Sequence, residues 1–447
     1  MNAPEEKNPA AVASAPKQAG ETLRQRWPWV EPTVWTERML EALERGVKGG
    51  KWFALIDKVY DPRHLRSAFG AVAGNEGAPG SDGETIAQFE KRLEEGIEAL
   101  AAELRARRYR PLPVRRVWID KLGSKDKRPL GIPAVRDRVV QTALRWVVEP
   151  IFEREFAPQS YGFRPGRGCK DALRRVAHLL REGYTQVVDA DIKGYFDSIP
   201  HARLLELVGE RVSDGGVLAL VESFLKQGVL TELKAWEPTE EGTPQGAVIS
   251  PLLANLYLHP LDLLMQAAGV EMVRYADDFV LLCRSREQAA TALAQVQQWI
   301  QEQGLQLHPE KTRLVDMTEP KAGFDFLGYH FHHGGQRWPR KKSVQKLKAK
   351  LRPQTKRSHG ESLRQIITKL NPRLRGWYGY FRHAVASSLR EIDGWVRGRL
   401  RAILRKRAGL RGRSRGRDHQ RWQNAYFARH GLFSLYEARC AATQSHR

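Results

Sequence analysis

Val273-Arg274-Tyr275-Ala276-Asp277-Asp278-Phe279-Val280-Leu281-Leu282-Cys283 sets two adjacent carboxylates between two apolar, strand-like runs. The pattern predicts a β-hairpin whose tight turn holds Asp277 and Asp278. Adjacent acids repel, so the pair is costly unless water or a cation neutralises it. In its bland form this is a polar turn. In its functional form it is half of a metal site that binds phosphates. A third carboxylate elsewhere in the chain decides between the two.

Thr185 to Ile192 predicts a strand that ends in acids and leads into Lys193-Gly194-Tyr195-Phe196-Asp197. If that strand lies beside the hairpin, Asp191, Asp277 and Asp278 converge at one sheet end. Three acids there call for divalent ions. Two ions ~3.5–4 Å apart would satisfy them, activate a primer 3′-hydroxyl and neutralise the leaving pyrophosphate. Phe196 is then either a core ring or a ring beneath the incoming sugar that excludes a 2′-hydroxyl.

Other segments carry paired readings of the same kind. Gly242 to Pro251 is a small-residue loop before a leucine-rich helix. Gly246 and its neighbours permit close approach of a base pair, and Gln245 can hydrogen-bond a template strand. Equally, this is a helix N-terminus with Ser250 as its cap. Val117–Lys121 and Lys127–Pro133 form a polar hairpin: a solvated edge, or a lid whose Lys121 and Arg128 clasp a triphosphate. Ser160-Tyr161-Gly162-Phe163-Arg164-Pro165-Gly166-Arg167 is a packed turn, or a loop whose Arg164 and Arg167 touch a nucleic-acid backbone. Lys311 is an exposed lysine, or the group that neutralises pyrophosphate. Phe324 to Tyr329 is a short strand that grips a primer or closes the sheet.

Around these segments the chain reads mainly as helix. Residues 1–26 lack periodicity and predict a disordered lead. Trp27 to Leu65 reads as amphipathic helix with a break at Pro62. Thr85 and Gln88 predict a capping box opening a helix with Phe89, Leu93, Ile97, Leu100 and Leu104 on one face. Asp137–Phe156 and Glu287–Gln303 are further helices, the second closed by Gly304.

The formal net charge is +23, from 74 Lys and Arg against 51 Asp and Glu. Arg340 to Arg421 alone holds 26 basic and 4 acidic residues, nearly the whole excess. An imbalance this local points to a polyanionic partner, and nucleic acid is the natural one. Within it, Asn371 to Arg382 interleaves aromatic rings with Arg373, Arg375 and Arg382. That pattern suits stacking on, and phosphate contact with, structured RNA. It also suits an amphipathic core helix with arginines outside, and the two are compatible. Arg405–Arg417 predicts a Gly/Arg loop, and the tail from Arg421 a small docked module. The three cysteines are far apart and form no disulfide or zinc pattern, as expected of a reducing cytosol. No run approaches a membrane span.

Taken in order, Arg-Pro-Leu-Gly-Ile-Pro, Ser-Tyr-Gly-Phe-Arg-Pro-Gly-Arg, Asp-Ile-Lys-Gly-Tyr-Phe-Asp, Thr-Pro-Gln-Gly, Tyr-Ala-Asp-Asp, Lys311-Thr312 and Phe-Leu-Gly resemble the blocks of a group II intron reverse transcriptase. Leu374-Arg375-Gly376-Trp377 with Tyr380-Phe381 is similar to its maturase (X) domain. The resemblance implies an α+β, right-hand polymerase of fingers, palm and thumb, with an antiparallel-sheet palm and a helical thumb/maturase region. It implies this division: 1–26 lead; 27–110 N-terminal extension and start of the fingers; 111–335 fingers and palm; 336–410 thumb/maturase; 411–447 basic C-terminal module. It implies an RNA-directed DNA polymerase with two Mg2+ ions, Mn2+ being an acceptable substitute. Asp191, Asp277 and Asp278 would be the catalytic metal ligands, with the Ile192 carbonyl as a further one. Lys121, Arg128, Phe196, Gln245, Gly246 and Lys311 would line the nucleotide site.

The implied partners are an intron RNA whose splicing the protein assists, an RNA template with a DNA primer, target DNA and dNTPs, with a homodimer compatible and no membrane. The implied role is intron splicing and mobility by target-primed reverse transcription. Many relatives carry a zinc-dependent nicking domain with paired cysteines and histidines; only Cys440 lies in this tail, so the expected type lacks it and takes a primer from elsewhere. The competing expectations are a polymerase of this build serving host DNA repair or phage defence, and a non-enzymatic RNA-binding splicing factor.

Overall fold

A computed structural model describes residues 22–120, 127–231, 236–358, 360–410 and 416–444. The fold is α+β, and the chain divides into two compact units, neither continuous in sequence. The first comprises residues up to Gly168, Asp191–Asp277 and Leu293–Pro309; the second comprises Cys169–Ala190, Asp278–Ala292 and Glu310–Arg447. This division interleaves the sequence where the motif blocks suggested consecutive segments, because strands brought together in space come from distant stretches of chain.

In the first unit the longest element is the helix Val135–Glu153. Val139, Val140, Ala143, Leu144, Val147 and Ile151 on it are buried, the apolar spacing its sequence predicts. The helix Pro62–Gly74 packs along it. The break expected at Pro62 is present: the helical turn Ile56–Val59 ends just before it, and Pro62 starts the next helix. Asp61 caps the N-terminus by accepting from the Arg63 amide, and proline is well suited to the first turn, where its missing N–H is not needed. The Thr85–Gln88 capping box forms as expected, but the helix it opens stops at Lys91 and a second runs from Leu93 to Arg105. Part of the expected lead is also ordered: Leu23–Arg26 is a helical turn capped by Thr22, while residues 1–21 lie outside the described residues.

Val114–Asp120 and Lys127–Ile132 pair antiparallel, with Val117 opposite Leu130. Val114 also pairs in parallel with Val229. Asp214 fastens this unit internally. Its carboxylate caps the helix Gly215–Leu225 and also accepts the amides of Leu55 and Ile56, 159 and 158 residues away in sequence.

In the second unit the strand Gln186–Asp191 lies between Asp278–Cys283 and Arg313–Asp316. A three-stranded antiparallel sheet follows, Gly323–Phe326, Tyr329–His332 and Arg337–Pro339. The long helices Leu363–Phe381 and Ala386–Arg407 bury Ile366, Leu370, Leu374, Leu389, Ile392 and Val396 in one core with Phe427 and Leu435. The C-terminal module docks through a buried carboxylate. Asp393 accepts the Leu435 and Tyr436 amides and the Ser434 hydroxyl at the start of the helix Leu435–Gln444, where the helix dipole favours negative charge.

Glu149 on the long helix is nearly buried beside Arg145, 3.5 Å away. Burial pushes its carboxyl up to about 7, with Arg145 offsetting part of that and Glu153 adding to it. The folded chain therefore holds this proton more tightly than the unfolded chain does. Stability from this group is greatest below pH ~4.5 and is lost as pH rises towards ~7. Glu149→Gln should leave the urea midpoint unchanged at pH 4 and raise stability at pH 8 by roughly 2–3 kcal/mol. An equal effect at both values would show that the proton is not held this way.

Candidate active site

The central turn forms between the strands Glu271–Tyr275 and Asp278–Cys283. It differs from expectation in one respect: the two turn residues are Ala276 and Asp277, and Asp278 is already the first residue of the following strand. Ala276 adopts φ +58°, a left-handed conformation unusual for alanine. Something must hold it there, and the first unit shows what does.

Arg274, directly before the turn, is completely buried. Its Nε donates to Asp262 Oδ1 at 2.7 Å, and Asp262 is also fully buried. Nη1 donates to Asn255 Oδ1 at 2.9 Å and to the Ala276 carbonyl at 3.0 Å. The last bond joins the guanidinium to the turn itself. Asn255 and Asp262 both lie on the helix Ser250–Ala267, and Asn255 also donates to the Gly162 carbonyl at 2.6 Å. The Tyr161 amide donates to the Arg274 carbonyl. A Cβ at Gly162 would lie 2.3 Å from the Ala276 amide nitrogen, so only glycine lets this loop rest against the turn. These residues were not legible as functional from motif blocks. Two signals were present: Arg274 interrupts an apolar strand, and Asp262 is the sole carboxylate on its helix.

Held this way, Asp277 is partly buried, and its carboxyl is pushed up from the ordinary range. Burial is the largest cause. The charge of Asp191 adds to it, while the Asp277 amide, Arg128 and Arg274 act the other way. Asp191 and Asp277 therefore face each other electrostatically. The Asp191 carbonyl accepts the His308 amide at 2.7 Å, and the Lys193 amide donates to the Gln306 carbonyl at 2.8 Å. This bridge pairs Ile192 with Leu307 and leaves the Ile192 carbonyl out of both bonds. Among the described residues, no three His, Cys, Asp or Glu side chains are gathered as around a bound metal ion. The two carboxylates still fit a hard divalent cation, since burying two acids together is costly without positive charge. Mg2+ characteristically takes one or two carboxylates and completes its shell with water and substrate phosphates.

A second group of residues is tied to the same unit. Phe196 sits on the turn Tyr195–Asp197, half-buried, with its ring edge-on to Tyr195. Tyr195 is buried and donates its hydroxyl proton to the Ala254 carbonyl. The Phe196 carbonyl accepts the Thr243 amide. Gln245 bridges two partners: its Nε2 donates to Asp197 Oδ2 at 2.9 Å, and its Oε1 accepts from Arg128 Nε at 2.7 Å. Gly246 has φ +111°, and a Cβ there would lie 2.4 Å from the Gly131 carbonyl. Its smallness thus serves a close approach of the protein's own backbone. Ser250 is not the helix cap; it is the first helical residue, and its hydroxyl donates to the Pro244 carbonyl and accepts from Thr243. A cleft of about 350 Å³, lined by Arg116, Trp118, Leu130, Asp197 and Gln245 among others, opens beside this group.

Arg164 does not face a ligand. It is buried, its guanidinium engaged by Glu153 and by the carbonyls of Ala157 and Ser160. Contact with RNA would leave that acid and those carbonyls unpaired, so Arg164 is a structural anchor. Arg167 is half-exposed, donates to the Pro158 carbonyl and lies over Tyr161. Lys121 lies outside the described residues. In the second unit Lys311 is exposed, and Arg373, Arg375 and Arg382 are exposed on or just after the helix Leu363–Phe381 while Leu374 and Phe381 are buried. Arg375 lies over Phe433, and Trp377 stacks on Phe381 with centroids 4.4 Å apart.

Residues 119–331 match the reverse transcriptase (RNA-dependent DNA polymerase) family, and 344–422 match the group II intron maturase-specific domain. Protein YkfC of Escherichia coli is 32% identical over 358 residues, 71% of this chain and 91% of that protein. The chain belongs to the group II intron reverse transcriptase/maturase family. It is an RNA-directed DNA polymerase by that membership. The group II intron-encoded protein LtrA of Lactococcus lactis is 43% identical over 169 residues, 38% of this chain and 28% of LtrA. The match thus spans less than a third of LtrA. Among solved structures, a partial Cas6-RT-Cas1--Cas2 complex is similar at TM-score 0.37 and 24% identity, over 56% of this chain and 42% of that one.

In a reverse transcriptase of this geometry, Gly162→Ala should push the Ala276 amide and shift Asp277. Misplacement of this kind costs on the order of 10²-fold in rate. Single-turnover nucleotide incorporation should fall about that far while circular dichroism is unchanged; a wild-type rate would mean the loop does not support the turn.

Proposed function

We propose that this protein copies the RNA of a group II intron into DNA by target-primed reverse transcription and binds that intron RNA to assist its splicing. The observation that carries the reading is that Asp277, in a partly buried turn bonded to the buried Arg274 guanidinium, lies near enough to Asp191 for the two charges to oppose each other. Maintaining two acids in that setting has a cost that an RNA-binding surface alone has no use for.

Asp191, Asp277 and Asp278, with the Ile192 carbonyl, are the residues that would hold magnesium. The ions would supply charge neutralisation at the attacking and leaving oxygens of an in-line displacement. This chain's own residues do the positioning. Arg128, tethered by Gln245, presents a cation for a triphosphate. Phe196, held through Tyr195 and Thr243, would be the ring that distinguishes a deoxyribose from a ribose. In the second unit the exposed Arg373, Arg375 and Arg382 offer phosphate contacts to intron RNA, their helix held by the apolar core beneath.

The two activities separate experimentally. Purified Asp277→Asn should lose extension of a DNA primer on an RNA template with dNTPs and magnesium, yet still bind intron RNA. Arg373→Ala with Arg375→Ala should retain extension on a short template, bind intron RNA more weakly, and lower the salt slope by about 1–2. Extension surviving in Asp277→Asn would place the chemistry elsewhere, and an unchanged salt slope would remove those arginines from the RNA surface.

A further inference from the structure

Gln245 stands between two groups that allow its amide only one orientation. Its Nε2 donates to Asp197 Oδ2 at 2.9 Å, and its Oε1 accepts from Arg128 Nε at 2.7 Å. A carboxylate only accepts hydrogen bonds, and a guanidinium only donates them. Turned over, the amide would set oxygen against oxygen at Asp197 and nitrogen against nitrogen at Arg128.

The backbone keeps the three residues in register. Asp197 closes the turn Tyr195–Asp197, its amide donating to the Gly194 carbonyl at 2.8 Å. Gly242 rests on that turn: its φ is +84°, and a Cβ there would lie 2.8 Å from the Asp197 backbone. On the other side, the Gln245 carbonyl accepts the Gly131 amide at 2.7 Å, from the same strand that carries Arg128. Three residues on, the Val248 amide donates to Oε1 of the fully buried Gln141 at 2.7 Å. Arg128 itself is exposed, and a free exposed arginine samples many rotamers. The bond to Gln245 restrains it through Nε and leaves both Nη nitrogens outside that bond, the fork that takes a phosphate bidentately. Its charge reaches the reaction centre, where it opposes the burial that pushes the Asp277 carboxyl up.

We infer that Asp197 is a positioning residue for the nucleotide: by fixing the orientation of the Gln245 amide, it aims the Arg128 guanidinium at the triphosphate of an incoming dNTP. The assignment rests on the polymerase reading, in which Arg128 meets that triphosphate. Gln245 is then a relay, and its amide is not free to read the template.

Exchanging the amide and the carboxylate tests the relay. Gln245→Glu alone sets two carboxylates against each other, and their repulsion turns the side chain away from Arg128. Adding Asp197→Asn puts a donor opposite the new acid and leaves the charge of the pair unchanged. The readout is the Kd of the matched dNTP for the protein on an RNA template with a dideoxy-terminated DNA primer, where no bond can form. Gln245→Glu should weaken binding about tenfold, the scale of one charge-assisted hydrogen bond, and the double variant should return to within about twofold of wild type. On an ordinary primer, Asp197→Ala should raise the KM for dNTP about fivefold with kcat within about twofold, as loss of binding alone does. Melting temperatures should stay at the wild-type value, since neither side chain is fully buried. No recovery in the double variant, or wild-type dNTP affinity in Asp197→Ala, would overturn the inference. Because binding is read apart from turnover, a wild-type chain that bound dNTP but never extended an ordinary primer would overturn the polymerase reading instead.

Discussion

Arg274 has no exposed surface, and neither has Asp262, the carboxylate it pairs with. Taking both charges out of water is expensive, and their attraction repays it only when every remaining donor is satisfied. The helix Ser250–Ala267 and the turn together meet that condition, through Asn255 and the Ala276 carbonyl. The consequence is geometric. An alanine is kept in a left-handed conformation, Asp277 is presented beside Asp191, and the loop from Ser160 to Arg164 has a fixed surface to rest on. Replacing the pair with well-packed apolar side chains of similar volume should leave the fold as stable. What the ions provide is a directed bond to one particular carbonyl.

That bond shows why an Arg precedes the Tyr-Ala-Asp-Asp stretch, and why the residues around the site are so unequal in burial. Asp191 and Asp277 are only partly buried, while Arg274 and Asp262, which hold the turn carrying Asp277, are fully buried. The same division of labour recurs at Gln245, whose amide is spent on Arg128 and Asp197. In the helical unit, Asp393 does for the C-terminal module what Asp214 does for the N-terminal segments: one carboxylate collects backbone amides from a distant stretch of chain.

Much of this was legible from residue order. The strand ending at Asp191, the strand–turn–strand around Asp277, the Thr85 capping box and the basic helices beneath Arg373 and Arg375 follow from periodicity and turn chemistry, which are local. The misreadings were non-local. Arg164 looks like a phosphate ligand until Glu153 is seen to claim it. Gly246 looks like room for a base pair, yet the gap is filled by the protein's own backbone, as it is at Gly162. Asp262 lies 12 residues from Arg274 on another element, and no motif spacing announces the pair.

The claim that this ion pair positions the reacting turn, and does not merely fill the core, is tested by removing both charges at once. In Arg274→Met combined with Asp262→Leu, no unpaired buried charge remains, so thermal stability should stay close to wild type. The single-turnover rate of nucleotide incorporation should nonetheless fall on the order of 10²-fold, because the bond to the Ala276 carbonyl is gone. A well-folded double variant that incorporates nucleotide at the wild-type rate would contradict the account.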